Sequence, residues 1–204
     1  MPPKNHDLDG NAPDSSSVAL LLIDVINDLE FDGGEQLLRH ARPIAHRIAE
    51  LKRRAKVQGV PVIYVNDNFG RWRSDFRKLV SHCLADGTRG RPVVELLAPE
   101  DDDYFVLKPK HSGFYHTTLD LLLDYLKVRT VVLAGMATDI CVLFTANDAY
   151  MRDLEVIVPS DCVASGDRRK HARALAQMEE IIDARTPSGA EVDFAALTSR
   201  AGPP

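Results

Sequence analysis

VVLAGMATDICVLFTANDAYMRD, residues 131–153, joins an apolar run to an amphipathic one across Gly135-Met136-Ala137. In its first half apolar residues follow one another instead of alternating, the pattern of a strand buried on both faces. The second half has helical spacing over 137–152, so the stretch predicts a strand that turns sharply into a helix. Such a turn leaves backbone N–H groups unpaired at the helix start, where they can hold an oxyanion. One turn in stands Cys141. Alone, a cysteine in apolar surroundings is ordinarily a small core residue.

Working outward, further apolar runs at 18–23, 60–65, 104–107, 130–134 and 155–158, with a weaker one at 181–186, alternate with amphipathic segments. That rhythm predicts a parallel sheet covered by helices on both faces. Residues 36–58 carry Leu37, Leu38, Ile44, Ile48, Leu51 and Ala55 at helical spacing and stop at Gly59, a residue suited to the left-handed position after a helix. Thr117-Thr118-Leu119-Asp120 resembles a capping box before LLLDYLK, and 168–180 predicts another helix.

The bulk properties narrow the function. A chain of 204 residues with 45% hydrophobic content suits a single domain over 18–200. A net charge of -5 with mixed signs lacks the concentrated basic face of a nucleic-acid binder. Three widely spaced cysteines indicate neither a disulfide framework nor a zinc cluster, which favours a reducing, cytoplasmic setting. No apolar run approaches the roughly 20 residues of a membrane span, and residues 1–17, rich in Pro, Asp and Ser, predict a flexible arm. No GxGxxG follows the first strand and no GxxxxGK[ST] occurs, so nucleotide binding is disfavoured.

Ligands of open parallel sheets bind beyond the carboxyl ends of the strands. There the sequence delivers Asp24 after the first strand, Asn66 and Asp67 after the second, Lys108 after the third and Cys141 after the fourth. Singly, each has a commonplace explanation as a turn, cap or solvated residue. Together, an acid, an amine and a thiol are the parts of an activated nucleophile. Asp24 can take the thiol proton, and the Lys108 ammonium favours the anionic forms of both. A helix N-terminus capped by Thr138 is expected to lower the Cys141 pKa. Trp72, Phe114 and Tyr115, in the loops after the second and third predicted strands, are candidates to line a substrate pocket.

The chain resembles the isochorismatase-like cysteine hydrolases, which include nicotinamidases, N-carbamoylsarcosine amidases and ureidoacrylate amidases. The motifs that carry the resemblance are LLLIDVINDLE around Asp24, VLKPKHSGFYHTTLDLLL around Lys108, and VVLAGMATDICVLFTANDAYMRDLEVIVPSDCVA around Cys141. It implies a three-layer, doubly wound α/β/α fold on a six-stranded parallel sheet, a catalytic triad of Asp24, Lys108 and Cys141, and a homodimer or homotetramer. It also implies a cis peptide between Met136 and Ala137, presenting the N–H groups of Ala137 and Cys141 to a substrate oxygen. Nicotinamidases of the family hold a metal with an Asp-x-His pair and a further histidine. Here the corresponding stretch reads Asn66-Asp67-Asn68-Phe69-Gly70-Arg71-Trp72, with no histidine before His82. One carboxylate without imidazoles is a poor transition-metal site, so no metal or other cofactor is expected. The expectation is a cysteine-dependent amidohydrolase of small carboxamides or ureido compounds. The alternatives are an isochorismatase-type hydrolase that acts without the thiol, or a non-catalytic binding or scaffold protein.

Overall fold

The structure is a computed structural model and describes residues 15–67 and 75–200. The predicted arm lies outside them, except for residues 15–17. Ser16 and Ser17 are tied by backbone hydrogen bonds to Leu126, Arg129 and Thr130.

Six parallel strands form one sheet: β1 (Val18–Ile23), β2 (Val62–Asp67), β3 (Tyr104–Lys108), β4 (Thr130–Met136), β5 (Glu155–Ile157) and β6 (Val163–Ala164). The order is β3-β2-β1-β4-β5, with β6 also paired to β4. β5 and β6 lie end to end along β4, against Thr130–Val132 and Gly135–Met136 respectively. Successive side chains of a strand point to opposite faces, and β1 shows the consequence. Val18, Leu20 and Leu22 enter one core, while Ala19, Leu21 and Ile23 enter the other. All six are fully buried.

The first core is closed by α1 (Gly34–Val57), α2 (Phe76–Cys83), α3 (Arg91–Val94) and α7 (Phe194–Arg200). The second is closed by α4 (Leu119–Leu126), α5 (Leu143–Tyr150) and α6 (Arg168–Ile182). In α1 the buried positions Leu37, Ala41, Ala45, Ile48, Leu51 and Ala55 recur every three or four residues, which places them on one face. Gly59 takes the expected left-handed conformation, with φ +66°. Because the chain leaves β1 toward one face and β4 toward the other, the strand order reverses between these two neighbours. That is the position at which open α/β sheets open a crevice.

Three expectations are corrected. The sixth strand is not 181–186: α6 runs to Ile182, Asp183 is left-handed, and only one bridge, Ile157 to Arg185, remains of strand pairing there. The sixth strand is β6, whose two residues are too few to show any periodicity. The helix after β4 does not begin as an α-helix, because Thr138–Val142 form a π-helical turn before α5. Thr118 forms no capping bond at α4; the neighbouring Thr117 hydroxyl accepts from the Leu119 N–H instead, at 3.2 Å.

Gly135 carries the chain from β4 into the turn with φ +119°. It pairs with Ile23, and a Cβ placed there would lie 2.1 Å from the Ile23 carbonyl oxygen. Neither the conformation nor the space admits a side chain. Gly135→Ala is therefore expected to lower stability by at least about 2 kcal/mol, read as a reduced urea midpoint with an unchanged slope.

Candidate active site

At the carboxyl rim of β1, Asp24 has φ +50° and donates its own N–H to the Val65 carbonyl at 2.9 Å. Its carboxylate accepts from the Asp67 N–H at 2.7 Å. β1 and β2 thus fix the acid from two sides. Lys108, the last residue of β3, has a fully buried side chain, and its Nζ lies 2.8 Å from Asp24 Oδ2, 3.5 Å from Cys141 Sγ and 3.8 Å from Asp67 Oδ2. The Cys141 thiol lies near enough to the Asp24 carboxylate for each to shift the other's pKa. Three residues from three strand ends therefore meet within contact distance.

The electrostatics follow from burial. Desolvation raises the Asp24 pKa, opposed by the Lys108 charge and by hydrogen bonds from Cys141, Lys108 and Asp67. Burial also works against the Lys108 ammonium, yet Asp24, Cys141 and Asp67 outweigh it and its pKa is raised. The Cys141 thiol is pushed up to about 12, first by burial and then by the Asp24 charge, with Lys108 opposing. A helix N-terminus capped by Thr138 was expected to act the other way. The cap position is Ala137, which has no side-chain capping bond, and Thr138 lies inside the turn. Loss of water and a neighbouring carboxylate outweigh a partial backbone charge.

The resting site is thus a neutral thiol beside an ion pair. Alkylation of Cys141 by iodoacetamide is expected to rise about tenfold per pH unit between pH 7 and 9, without levelling, as the thiolate fraction rises. Peptide mass spectrometry resolves Cys141 from the buried Cys83 and Cys162; a plateau near neutral pH would contradict this resting state.

The turn above Cys141 has the anticipated backbone. Met136-Ala137 is a cis peptide, and the Ala137 carbonyl accepts from the N–H groups of Ile140 and Val142, both at 3.1 Å. Two residues of this region, Thr145 and His171, are not among the candidates that the sequence marks. The Thr145 hydroxyl donates to the Cys141 carbonyl at 2.6 Å and accepts from the Gly113 N–H at 3.0 Å. It ties the loop after β3 to the nucleophile's own helix. Its only sequence signal is its place four residues after Cys141, on the same helix face. His171 approaches Thr138 from α6, at 2.9 Å between Nδ1 and Oγ1, a contact that no spacing in the sequence indicates.

The expected pocket residues divide. Asp67 faces the Lys108 ammonium. Asn66 is fully buried and donates from Nδ2 to the Ile26 carbonyl at 2.8 Å, bracing the loop after β1; its Oδ1 has no hydrogen-bond partner among the described residues. Phe114 belongs to the second core, with the Arg152 guanidinium 4.5 Å above its ring, and does not stand open at the rim. Tyr115 is exposed and packs edge-on against His116. Trp72 lies outside the described residues. As for a metal, the carboxylates of Asp24 and Asp67 converge on an ammonium, and among the described residues no group of three His, Cys, Asp or Glu side chains is arranged to hold an ion. This donor set does not fit a divalent cation, and no chemical step is assigned to one.

A parallel sheet with this turn at its point of reversal places the chain among the isochorismatase-like α/β folds. The chain belongs to the isochorismatase family: the model of the Isochorismatase domain matches residues 18–192. It is an isochorismatase-family hydrolase. The isochorismatase family protein YaaI of Bacillus subtilis is 43% identical over 164 residues, covering 80% of this chain and 90% of that protein. The ureidoacrylate amidohydrolase RutB of Methylobacterium radiotolerans is 30% identical, over 95% of this chain and 83% of its own. Among solved structures, N-carbamoylsarcosine amidase from Thermoplasma acidophilum superposes with a TM-score of 0.67 at 26% identity, covering 87% of this chain and 99% of that one. Among the described residues no helix is long and apolar enough to cross a membrane.

Proposed function

We propose that the protein is a cysteine-dependent amidohydrolase that cleaves a C–N bond of a small carboxamide or ureido compound through a thioester. The observation that carries this reading is the convergence on Lys108 Nζ, which lies 2.8 Å from Asp24 and 3.5 Å from the Cys141 sulfur, beside a turn that opens with the cis peptide. The amidohydrolase and amidase named above support it.

Asp24 accepts the Cys141 proton as the sulfur adds to the carbonyl carbon. Burial suits Asp24 to this task, because a carboxylate with a raised pKa binds a proton more tightly, while Lys108 keeps it ionised beforehand. The same two effects make a resting thiolate unnecessary, since proton transfer and attack proceed together. The N–H groups of Ala137 and Cys141 receive the developing oxyanion. The proton on Asp24 then passes to the departing nitrogen, and ammonia or an amine leaves. Water, deprotonated by Asp24, attacks the thioester and releases the acid with the free thiol. Lys108 balances negative charge as it moves between Asp24, sulfur and the oxyanion.

The test is ammonia release by the purified protein from a panel of small carboxamides and ureido acids, with acid-quenched samples examined by intact mass. A substrate that is turned over should leave an acyl adduct on Cys141. Equal release by wild type and Cys141→Ala would refute the mechanism.

A further inference from the structure

β3 and β4 are not neighbours in the sheet: β2 and β1 stand between them. No ladder of backbone hydrogen bonds therefore fixes the separation of Lys108, at the end of β3, from Cys141, in the turn after β4. Yet Lys108 Nζ stands 3.5 Å from the sulfur. That distance is set by contacts above the rim.

One face of the turn and helix after β4 is given over to such contacts. Cys141, Thr145, Asp148 and Arg152 recur every three or four residues, and the last three each hold a residue of the loop that leaves Lys108. Thr145 Oγ1 accepts from the Gly113 N–H at 3.0 Å, the Asp148 carboxylate accepts from the Ser112 hydroxyl, and the Arg152 guanidinium lies 4.5 Å from the centre of the Phe114 ring. Thr145 differs from the other two because its fully buried hydroxyl also donates to the Cys141 carbonyl, at 2.6 Å. A threonine hydroxyl in a helix commonly bonds the carbonyl four residues back. This one receives a buried N–H from another element as well. The loop has little slack at that point, since a Cβ on Gly113 would lie 2.9 Å from Val65 Cγ1 and 3.0 Å from Leu119 Cδ2.

We propose that Thr145 is a positioning residue whose hydroxyl holds the Cys141 sulfur at its working distance from Lys108 and Asp24, by tying the nucleophile's backbone to the loop that leaves Lys108. The consequence for turnover rests on the amidohydrolase reading, whereas the placement of the sulfur does not.

Thr145→Ala removes the hydroxyl and Thr145→Ser keeps it, so the pair isolates the oxygen. Misplacing a reacting group by about 1 Å can cost on the order of 100-fold. Thr145→Ala is therefore expected to lower kcat/KM by about 10- to 100-fold, with Thr145→Ser within about threefold of wild type. Alkylation supplies a readout that needs no substrate. The charged groups that face the sulfur are Asp24 after β1 and Lys108 of β3, with Asp67 of β2 beside the ammonium. Burial and Asp24 together outweigh Lys108 and hold the thiol up. A sulfur released from this environment ionises more readily, so iodoacetamide at pH 8 should modify Cys141 at least about threefold faster in Thr145→Ala than in wild type or Thr145→Ser. The buried Cys83 and Cys162 report general loosening and should react as in wild type.

Ser112→Ala breaks the neighbouring bond to Asp148 without touching Cys141. It should lower the urea midpoint, yet leave kcat/KM and Cys141 alkylation within about threefold of wild type. A merely structural role for Thr145 predicts that Ser112→Ala and Thr145→Ala behave alike. Should Thr145→Ala not fold, Thr145→Val keeps the volume, puts a methyl in place of the bonded oxygen, and carries the same expectations. Unchanged Cys141 alkylation in the variant without the hydroxyl, equal acceleration at all three cysteines, kcat/KM within about threefold of wild type, or a serine variant as impaired as the alanine one would each overturn the proposal. Failure of the wild type to hydrolyse any amide would instead count against the amidohydrolase reading, with the alkylation comparison still deciding the role of Thr145.

Discussion

Replacing Cys141 by alanine is expected to reduce amide turnover by at least about 10^4-fold, because the covalent route disappears with the nucleophile. The change removes one sulfur from a half-buried side chain at the rim. The Asp24–Lys108 ion pair and the hydrogen bond from Thr145 to the Cys141 carbonyl do not depend on that sulfur. The variant should therefore keep its circular dichroism and urea midpoint, and substrate binding should persist while turnover stops. The measurement is kcat for the best amide found in the panel, together with an equilibrium affinity for that amide. Turnover within tenfold of wild type would point to direct attack by water at the same rim, the alternative in which the thiol is dispensable. A parallel fall in affinity and urea midpoint would mean that the sulfur serves packing.

Lys108→Met carries the second large effect, and it has two parts. The buried ammonium is the counter-charge of a buried carboxylate at 2.8 Å. Breaking such a pair from one side leaves an uncompensated charge and costs about 3–5 kcal/mol. Catalysis should fall by about 10^2- to 10^3-fold as well, since the charge that keeps Asp24 ionised, and so able to act as a base, is gone. The pH dependence distinguishes this account from simple loss of packing. Desolvation already raises the Asp24 pKa above its unfolded value of 3.8, and Lys108 is the principal opposing influence. Without Lys108 the folded-state pKa rises further, so the folded variant binds a proton that the unfolded chain releases. Stability of the variant relative to wild type must then improve as pH falls through that raised pKa and worsen as pH rises. Urea unfolding at pH 5 and pH 8 measures it: the deficit should be smaller at pH 5. A deficit equal at both values would assign the loss to packing alone.

Much of this site is legible in the linear sequence because it is built from strand ends. Buried parallel strands show as continuous apolar runs; two of them stop at Asp24 and Lys108, and a third leads through the Gly135–Ala137 turn to Cys141, so all three could be placed on one rim before any distance was known. The cis peptide was expected from the family motif, not from propensity. β6 and the hydrogen bond between His171 and Thr138 were not legible. A two-residue strand has no period, and a hydrogen bond between residues 33 apart leaves no trace in local pattern.

The sequence by itself determined the α/β class, the order of the strand ends and the chemical identity of an acid, an amine and a thiol at them. Only the tertiary structure decided their protonation. The helix-start argument for a lowered Cys141 pKa considered one element, while the actual environment is assembled from β1, β3 and the turn after β4, which exclude water and set a carboxylate against the sulfur. Desolvation and charge proximity are properties of the packed interior, and they depend on distances that residue order alone does not specify.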